Sequence, residues 1–176
     1  GGRILHETEG SFVCCPSEYF GGRFICENDW SNAAVFLVAG AIGGACEVTG
    51  LDLNSKQGDK VIVDILRLVG AEFEFYPNSI KVKKSNLNSF EFSAKNNPDL
   101  VPILSILALN CSGKSTIHDI ERLRHKEIDR IEKIIRLLKE NHLNFSYEKD
   151  CLEIEGCNYS IDYLDTENDH RFAMVA

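Results

Sequence analysis

An α/β fold of the α+β kind, built from repeated βαβαββ units, is what this sequence predicts, and three observations carry it. Asp29, Asp99 and Asp169 each open an apolar run, and they recur at intervals of 70 residues. The first two runs each lead through a glycine turn into a short alternating strand, GGACEVTGL in one case and SGKSTIHDI in the other. Each then passes through a second helical segment and closes on two short strands joined by a turn. Self-similarity at a fixed period is the mark of a repeat architecture.

The elements follow in order. NDWSNAAVFLVAGAI reads as a buried helix entered at Asp29, and Gly43-Gly44 behind it suit a helix C-terminus rather than a phosphate loop, which would precede a helix. Val61, Ile65 and Leu68 mark the apolar stripe of the next helix, and EFEFYPNSIKVKK supplies two strands. The second copy begins at NPDLVPILSILAL, and its second helix, starting near Lys126, carries Ile128, Ile131, Ile135 and Leu138. LNFSYEKDCLEIEG alternates at period two and closes that copy. NDHRFAMVA then opens a third, with Phe172 to Ala176 as the start of its helix. All three aspartates are expected to act as helix N-caps, because a carboxylate accepts the orphan amide hydrogens there. Helix N-termini also favour anions, so several such ends around a pseudo-axis would suit a polyanionic ligand.

Composition narrows the classes. The 176 residues are 44% hydrophobic and 26% charged, with no low-complexity linker, as in one ordinary domain. The longest apolar stretch, Ala33 to Ile42, falls far short of the roughly 20 residues of a membrane span. GGRILHETEG lacks the basic-then-apolar plan of a signal peptide, so a cytoplasmic location is expected. Seven cysteines, without CxxC or a histidine at finger spacing, are expected to be reduced and mostly buried thiols rather than metal ligands. The net charge of −8 disfavours a general nucleic-acid binder, although it does not bear on a local cationic cleft.

One charged stretch stands out, ERLRHKEIDR at 121–130. On a helix starting near Lys126, Lys126 and Arg130 would share a face, with Glu127 beside Arg130. Such a run reads either as a solvated helix surface or as a carboxyl tuned for proton transfer between two anion-holding cations. His170 at a helix start reads as a packing or hydrogen-bonding residue as readily as a catalyst.

Taken together, DWSNAAVFLVAGAIGG, QGDKVIVDILRLVGA, NPDLVPILSILAL, LRHKEIDRI and NDHRFAMVA resemble the 3-phosphoshikimate 1-carboxyvinyltransferase (EPSP synthase) family, in that family's order. The pairing of K-E-x-D-R with D-H-R-x-A-M carries most of the specificity. The resemblance implies one lobe of the EPSP synthase-like fold, with helices packed inside and mixed sheets outside. It implies transfer of the enolpyruvyl group of phosphoenolpyruvate to the 5-hydroxyl of shikimate 3-phosphate, with loss of phosphate and no metal or organic cofactor. Carried over by motif, Asp99 would be the base and Glu127 the proton donor. Lys126 would contact shikimate 3-phosphate and the reacting centre, and Arg130 and Arg171 would clamp phosphoenolpyruvate. Asp169 and His170 would support that clamp, and Arg122 would stand where an asparagine faces shikimate in some members. Family members have two lobes of three repeats each. Residues 1 to about 28, with Tyr19 to Cys26, are therefore expected to be the last hairpin of the other lobe and the hinge. Residues 29–176 would be an incomplete C-terminal lobe, inactive without its N-terminal partner lobe. The expected partners are the two small-molecule substrates and that missing lobe, with no nucleic acid and no membrane. A non-catalytic binding module on the same scaffold, and an enzyme like UDP-N-acetylglucosamine enolpyruvyl transferase, remain the alternatives.

Overall fold

A computed structural model describes residues 2–157 and 164–175. The chain starts with an antiparallel hairpin, β1 (Arg3–Thr8) and β2 (Ser11–Cys15), which pairs with neither of the other sheets. Residues 16–29 form no helix or strand, and Tyr19, Phe20, Phe24 and Ile25 are exposed. The expected hairpin therefore lies earlier than Tyr19–Cys26, where Gly21-Gly22 breaks the run and apolar side chains find nothing to bury against.

The first repeat begins at helix α1 (Trp30–Gly43), where Asp29 Oδ1 accepts from Ser31 N at 2.8 Å and caps the helix. Strand β3 (Ala45–Thr49), helix α2 (Ile62–Leu68), β4 (Glu72–Tyr76) and β5 (Ser79–Lys83) complete it. The second repeat adds an opening strand, β6 (Glu91–Ser93). Then come α3 (Val101–Leu109), β7 (Lys114–His118), α4 (Arg130–Glu140), β8 (Phe145–Glu148) and β9 (Cys151–Glu155). Sheet orders are β3-β5-β4 and β6-β7-β9-β8, so the last strand of each repeat lies between its two partners in both. β6 runs parallel to β7 through the α3 crossover, and every other pairing between these strands is antiparallel. Two-residue loops join both closing hairpins. In the second, Lys149 and Asp150 have φ of 50° and 64°, a type I′ turn that suits the strand twist. A third repeat starts at α5 (His170–Val175), and Ala176 lies outside the described residues.

The repeat is thus as expected except at its first strand. Among the described residues the strands ahead of α1, β1 and β2, pair with each other and not with β3, so only the second copy has the full βαβαββ order. The α2 stripe is also shifted: Ile62, Val63, Ile65 and Leu66 are buried, whereas Leu68 is 65% exposed. A 3-10 turn at Gly58–Val61 precedes α2 and changes the phase of the face it presents.

Helices α1 and α3 are apolar on almost every side, the pattern of helices surrounded by protein. They pack on each other and on α5, with the first sheet against α1 and the second against α3. Helix α4 is amphipathic, burying Ile131, Ile134, Ile135, Leu137 and Leu138 and turning Glu132, Arg136 and Lys139 outward. Helices inside and sheets outside is therefore the observed layering. None of the described helices is long and apolar enough to cross a membrane. All seven cysteines carry free thiols, but only Cys111 is buried, where burial pushes its thiol up to about 12. The expectation of mostly buried thiols fails because Cys14, Cys26 and Cys157 lie on exposed segments.

Close approach of α1 to its sheet depends on Gly40. A Cβ there would lie 2.6 Å from Val82 Cγ1, 2.7 Å from Cys46 Cβ and 2.9 Å from Cys46 N. Gly40→Ala gains about 1 kcal/mol of helix propensity, yet overpacking of about 1–3 kcal/mol should outweigh it. A urea midpoint at or above that of the parent chain would contradict this.

Candidate active site

The N-terminal ends of α1, α3, α4 and α5 carry the chemistry-bearing residues, and Arg130 joins three of those ends. It is the first residue of α4, capped by Asp129, whose Oδ1 accepts from Glu132 N at 3.0 Å. Its side chain is 1% exposed and its guanidinium meets three carboxylates. Nε donates to Asp169 Oδ2 at 2.9 Å, Nη1 to Asp99 Oδ1 at 2.9 Å, and Nη2 to Glu127 Oε2 at 2.7 Å. The planar fork suits this task, since its donors diverge in fixed directions.

Asp99 is the second hub. It lies in a 3-10 turn, Pro98–Leu100, ahead of α3, and its carboxylate does not cap the helix. It instead receives Lys126 Nζ on Oδ1 at 3.0 Å and Arg171 Nη2 on Oδ2 at 3.3 Å, in addition to Arg130. Capping by all three aspartates is therefore corrected: Asp29 and Asp169 cap, and Asp99 is drawn away by three cations. Partial burial pushes the Asp99 carboxyl up, but the Lys126 hydrogen bond and the charges of Lys126, Arg171 and Arg130 hold it below the usual carboxylate range.

Asp169 is wholly buried and does two jobs. Oδ1 accepts from Arg171 N at 2.9 Å and Phe172 N at 3.2 Å, capping α5, while Oδ2 takes Arg130. That bond links the start of the third repeat to the second. Arg171 reaches back to the first, donating to Asn32 Oδ1 on α1 at 3.4 Å. His170 Nδ1 stands 3.8 Å from Glu127 Oε1, a loose approach between two half-exposed side chains.

The segment holding Lys126 and Glu127 is not the start of a helix. A 3-10 turn at Glu121–His125 ends at Lys126, which is extended, and α4 starts four residues later. The Asp129 cap sets that start, so Lys126 and Arg130 do not share a helical face, although both reach Asp99 Oδ1. Glu127 and Arg130 are in contact as expected. Arg122 stays apart from the cluster: its Nη1 donates to the Lys95 carbonyl at 3.1 Å on an exposed surface.

Asp59 was not legible as a site residue, though its QGD lies inside one of the informative motifs. It accepts from Asn97 Nδ2 at 2.9 Å. Burial raises its pKa, helped by the neighbouring charges of Asp99 and Asp29 and opposed by the Asn97 bond and Arg171. A carboxyl raised on folding weakens the fold once the pH exceeds its folded value, and does nothing below its unfolded value. Asp59→Asn keeps an acceptor for Asn97 and should raise the melting temperature at pH 7, with the gain vanishing below about pH 4. A lower melting temperature at pH 7 would refute it.

The chain thus sets repeated sheets outside central helices and gathers three ion-paired cations and three carboxylates where helix N-termini meet. The fold is similar to that of NikO from Streptomyces tendae, titled an enolpyruvyl transferase, at a TM-score of 0.57 and 15% identity over 74% of this chain and 30% of that one. It is more similar to EPSP synthase from Acinetobacter baumannii, with a TM-score of 0.73 and 25% identity over 99% of this chain and 44% of that one.

The sequence matches the EPSP synthase (3-phosphoshikimate 1-carboxyvinyltransferase) family over residues 1–176, and the chain belongs to that family. Relatives named 3-phosphoshikimate 1-carboxyvinyltransferase include one from Brachyspira hyodysenteriae, 38% identical over 98% of this chain. Another, from Archaeoglobus fulgidus, is 38% identical over 96% of it. The chain spans 42% of the length of each of these two relatives.

Proposed function

We propose that this chain supplies the C-terminal-lobe half of the active site of an enzyme that transfers the enolpyruvyl group of phosphoenolpyruvate to the 5-hydroxyl of shikimate 3-phosphate. The observation that carries this reading is the convergence of Lys126, Arg130 and Arg171 on Asp99, with Glu127 on the other arm of Arg130. In this scheme Asp99 takes the hydroxyl proton as the oxygen bonds to the central carbon of phosphoenolpyruvate. Glu127 delivers a proton to the methylene carbon, giving a tetrahedral adduct. The carbon–oxygen bond to phosphate then breaks, a methyl proton returns to a base, and the vinyl group re-forms. Arg130 and Arg171 match the carboxylate and phosphate oxygens of phosphoenolpyruvate, and Lys126 faces shikimate 3-phosphate. Asp169 and His170 support that clamp, and Arg122 is assigned to the shikimate side by its motif position alone, since it bonds to the Lys95 carbonyl outside the cluster.

The depressed pKa of Asp99 fits a base whose strength is released by substrate. Anionic oxygens that draw Lys126 and Arg171 away remove the charges that hold its proton affinity down. Residues 1–28 are read as the last hairpin of the other lobe and the hinge, and residues 29–176 as the incomplete C-terminal lobe. The exposed apolar side chains of Phe12, Tyr19, Phe20, Phe24 and Ile25 support the assignment of that hairpin.

The test joins the chain to its N-terminal lobe and C-terminal remainder and measures phosphate release. Release that needs both phosphoenolpyruvate and shikimate 3-phosphate is expected, with none from residues 1–176 alone. No release by the complete protein with this substrate pair would refute the reading.

A further inference from the structure

Lys126 to Ile128 form neither helix nor strand, so few backbone hydrogen bonds hold the stretch that carries the site's lysine and its glutamate. Arg124 lies just ahead of it and reaches three elements at once. Within its own 3-10 turn, Nε donates to Glu121 Oε1 at 3.0 Å. Nη1 donates to Asp129 Oδ2 at 2.9 Å, and Nη2 to the Tyr147 hydroxyl on β8 at 3.2 Å. The guanidinium also stands 5.7 Å from the centre of the Tyr147 ring, within cation–π range. Tyr147 closes the circuit by donating its hydroxyl to Glu121 Oε2 at 3.1 Å. Asp129, meanwhile, uses its other oxygen to cap α4. Both ends of the 126–128 stretch are therefore fastened, one to the 3-10 turn and the other to the helix cap, with β8 as the anchor.

We propose that Arg124 is a positioning residue of this site: its bracket of Glu121, Asp129 and Tyr147 sets Lys126 and Glu127 against Asp99 and Arg130. None of the bracket's bonds is made by a residue assigned to substrate, so its influence runs through the backbone of 126–129. An isolated surface ion pair contributes little. Arg124 differs because one rigid fork ties three separate segments, a geometry that a lysine cannot reproduce. The lost bonds would leave the loop free to shift by about 1 Å, enough to cost on the order of 100-fold in rate where a proton donor must be aligned. Its bonds to the Tyr147 hydroxyl and Asp129 also hold the Arg124 pKa above its ordinary value, so the guanidinium stays charged.

The inference rests on the enolpyruvyl-transfer reading, and its test is arranged so that the two can fail separately. In the complete two-lobed enzyme, Arg124→Met, Arg124→Lys and Tyr147→Phe are compared for kcat, KM, melting temperature and amide hydrogen exchange at 126–128. Arg124→Met is expected to lower kcat on the order of 10- to 100-fold, more than it raises either KM, and to speed exchange at 126–128. Arg124→Lys should recover part of both losses, and Tyr147→Phe, which keeps the ring, should show a smaller loss than either. Unchanged kcat and unchanged exchange in Arg124→Met would overturn the proposal, even with a lowered melting temperature. Should Arg124→Met not fold, parental kcat and exchange in both other variants would overturn it. A parent enzyme that releases no phosphate refutes the functional reading alone, because exchange at 126–128 still reports on the bracket.

Discussion

Arg130→Met is expected to cost about 3–5 kcal/mol of folding stability, the usual result of removing one partner from a buried ionic network. Methionine fills much of the space of the arginine stem, so a cavity is not the main cost. The cost comes from the carboxylates left behind. Asp169 is sealed from solvent and, among the described residues, keeps its two capping amide bonds, and Asp99 loses its most buried cation. For a chain of this size each kcal/mol corresponds to about 2–4 °C, so the melting temperature should fall by roughly 6–20 °C. Arg130→Met combined with Asp169→Asn should recover part of the loss, because the orphaned charge is gone. A single variant within about 1 kcal/mol of the parent would mean that the network is no more than the marginal sort found on surfaces.

Glu127→Gln should separate chemistry from architecture. The amide oxygen can still accept from Arg130 Nη2, and the side chain is more than half exposed, so the fold and melting temperature should hardly change. What disappears is the exchangeable acid proton. In the complete enzyme, kcat should fall by about 10²–10⁴-fold, the range for a positioned general acid or base, with a smaller change in KM. Retention of full activity would remove Glu127 from the proton-transfer step while leaving its structural bond to Arg130 intact.

Much of this architecture could be read from the sequence because the repeat imposes it. The recurrence of Asp29, Asp99 and Asp169 located three helix starts, and the alternation in 145–155 located a hairpin. The errors come from competition between local and tertiary terms. Asp99 looked like a cap by analogy with its two counterparts, but three cations make a better partner for its carboxylate than backbone amides do. Lys126 and Arg130 looked helical in spacing, yet the Asp129 cap fixes the helix start after Lys126. The first repeat's missing strand had no local signature, because a strand depends on a neighbouring edge. Asp59 and Arg124 were missed for a related reason. Each becomes informative only when residues 38 and 23 positions away, Asn97 and Tyr147, are brought beside it.

The sequence separation of the contacts at the head of α5 has a kinetic consequence. Asp169 and Arg171 stand at the head of α5, and their partners lie 39, 72 and 139 residues away in the chain. Contacts of such sequence separation form late in folding, after the local hairpins and helices have been made. Opening α5 alone would uncouple Arg171 from Asp99 and expose the carboxylate that faces Arg130, while both sheets remained paired. The anion clamp and the scaffold would then form in separate steps, with both sheets in place before the clamp closes.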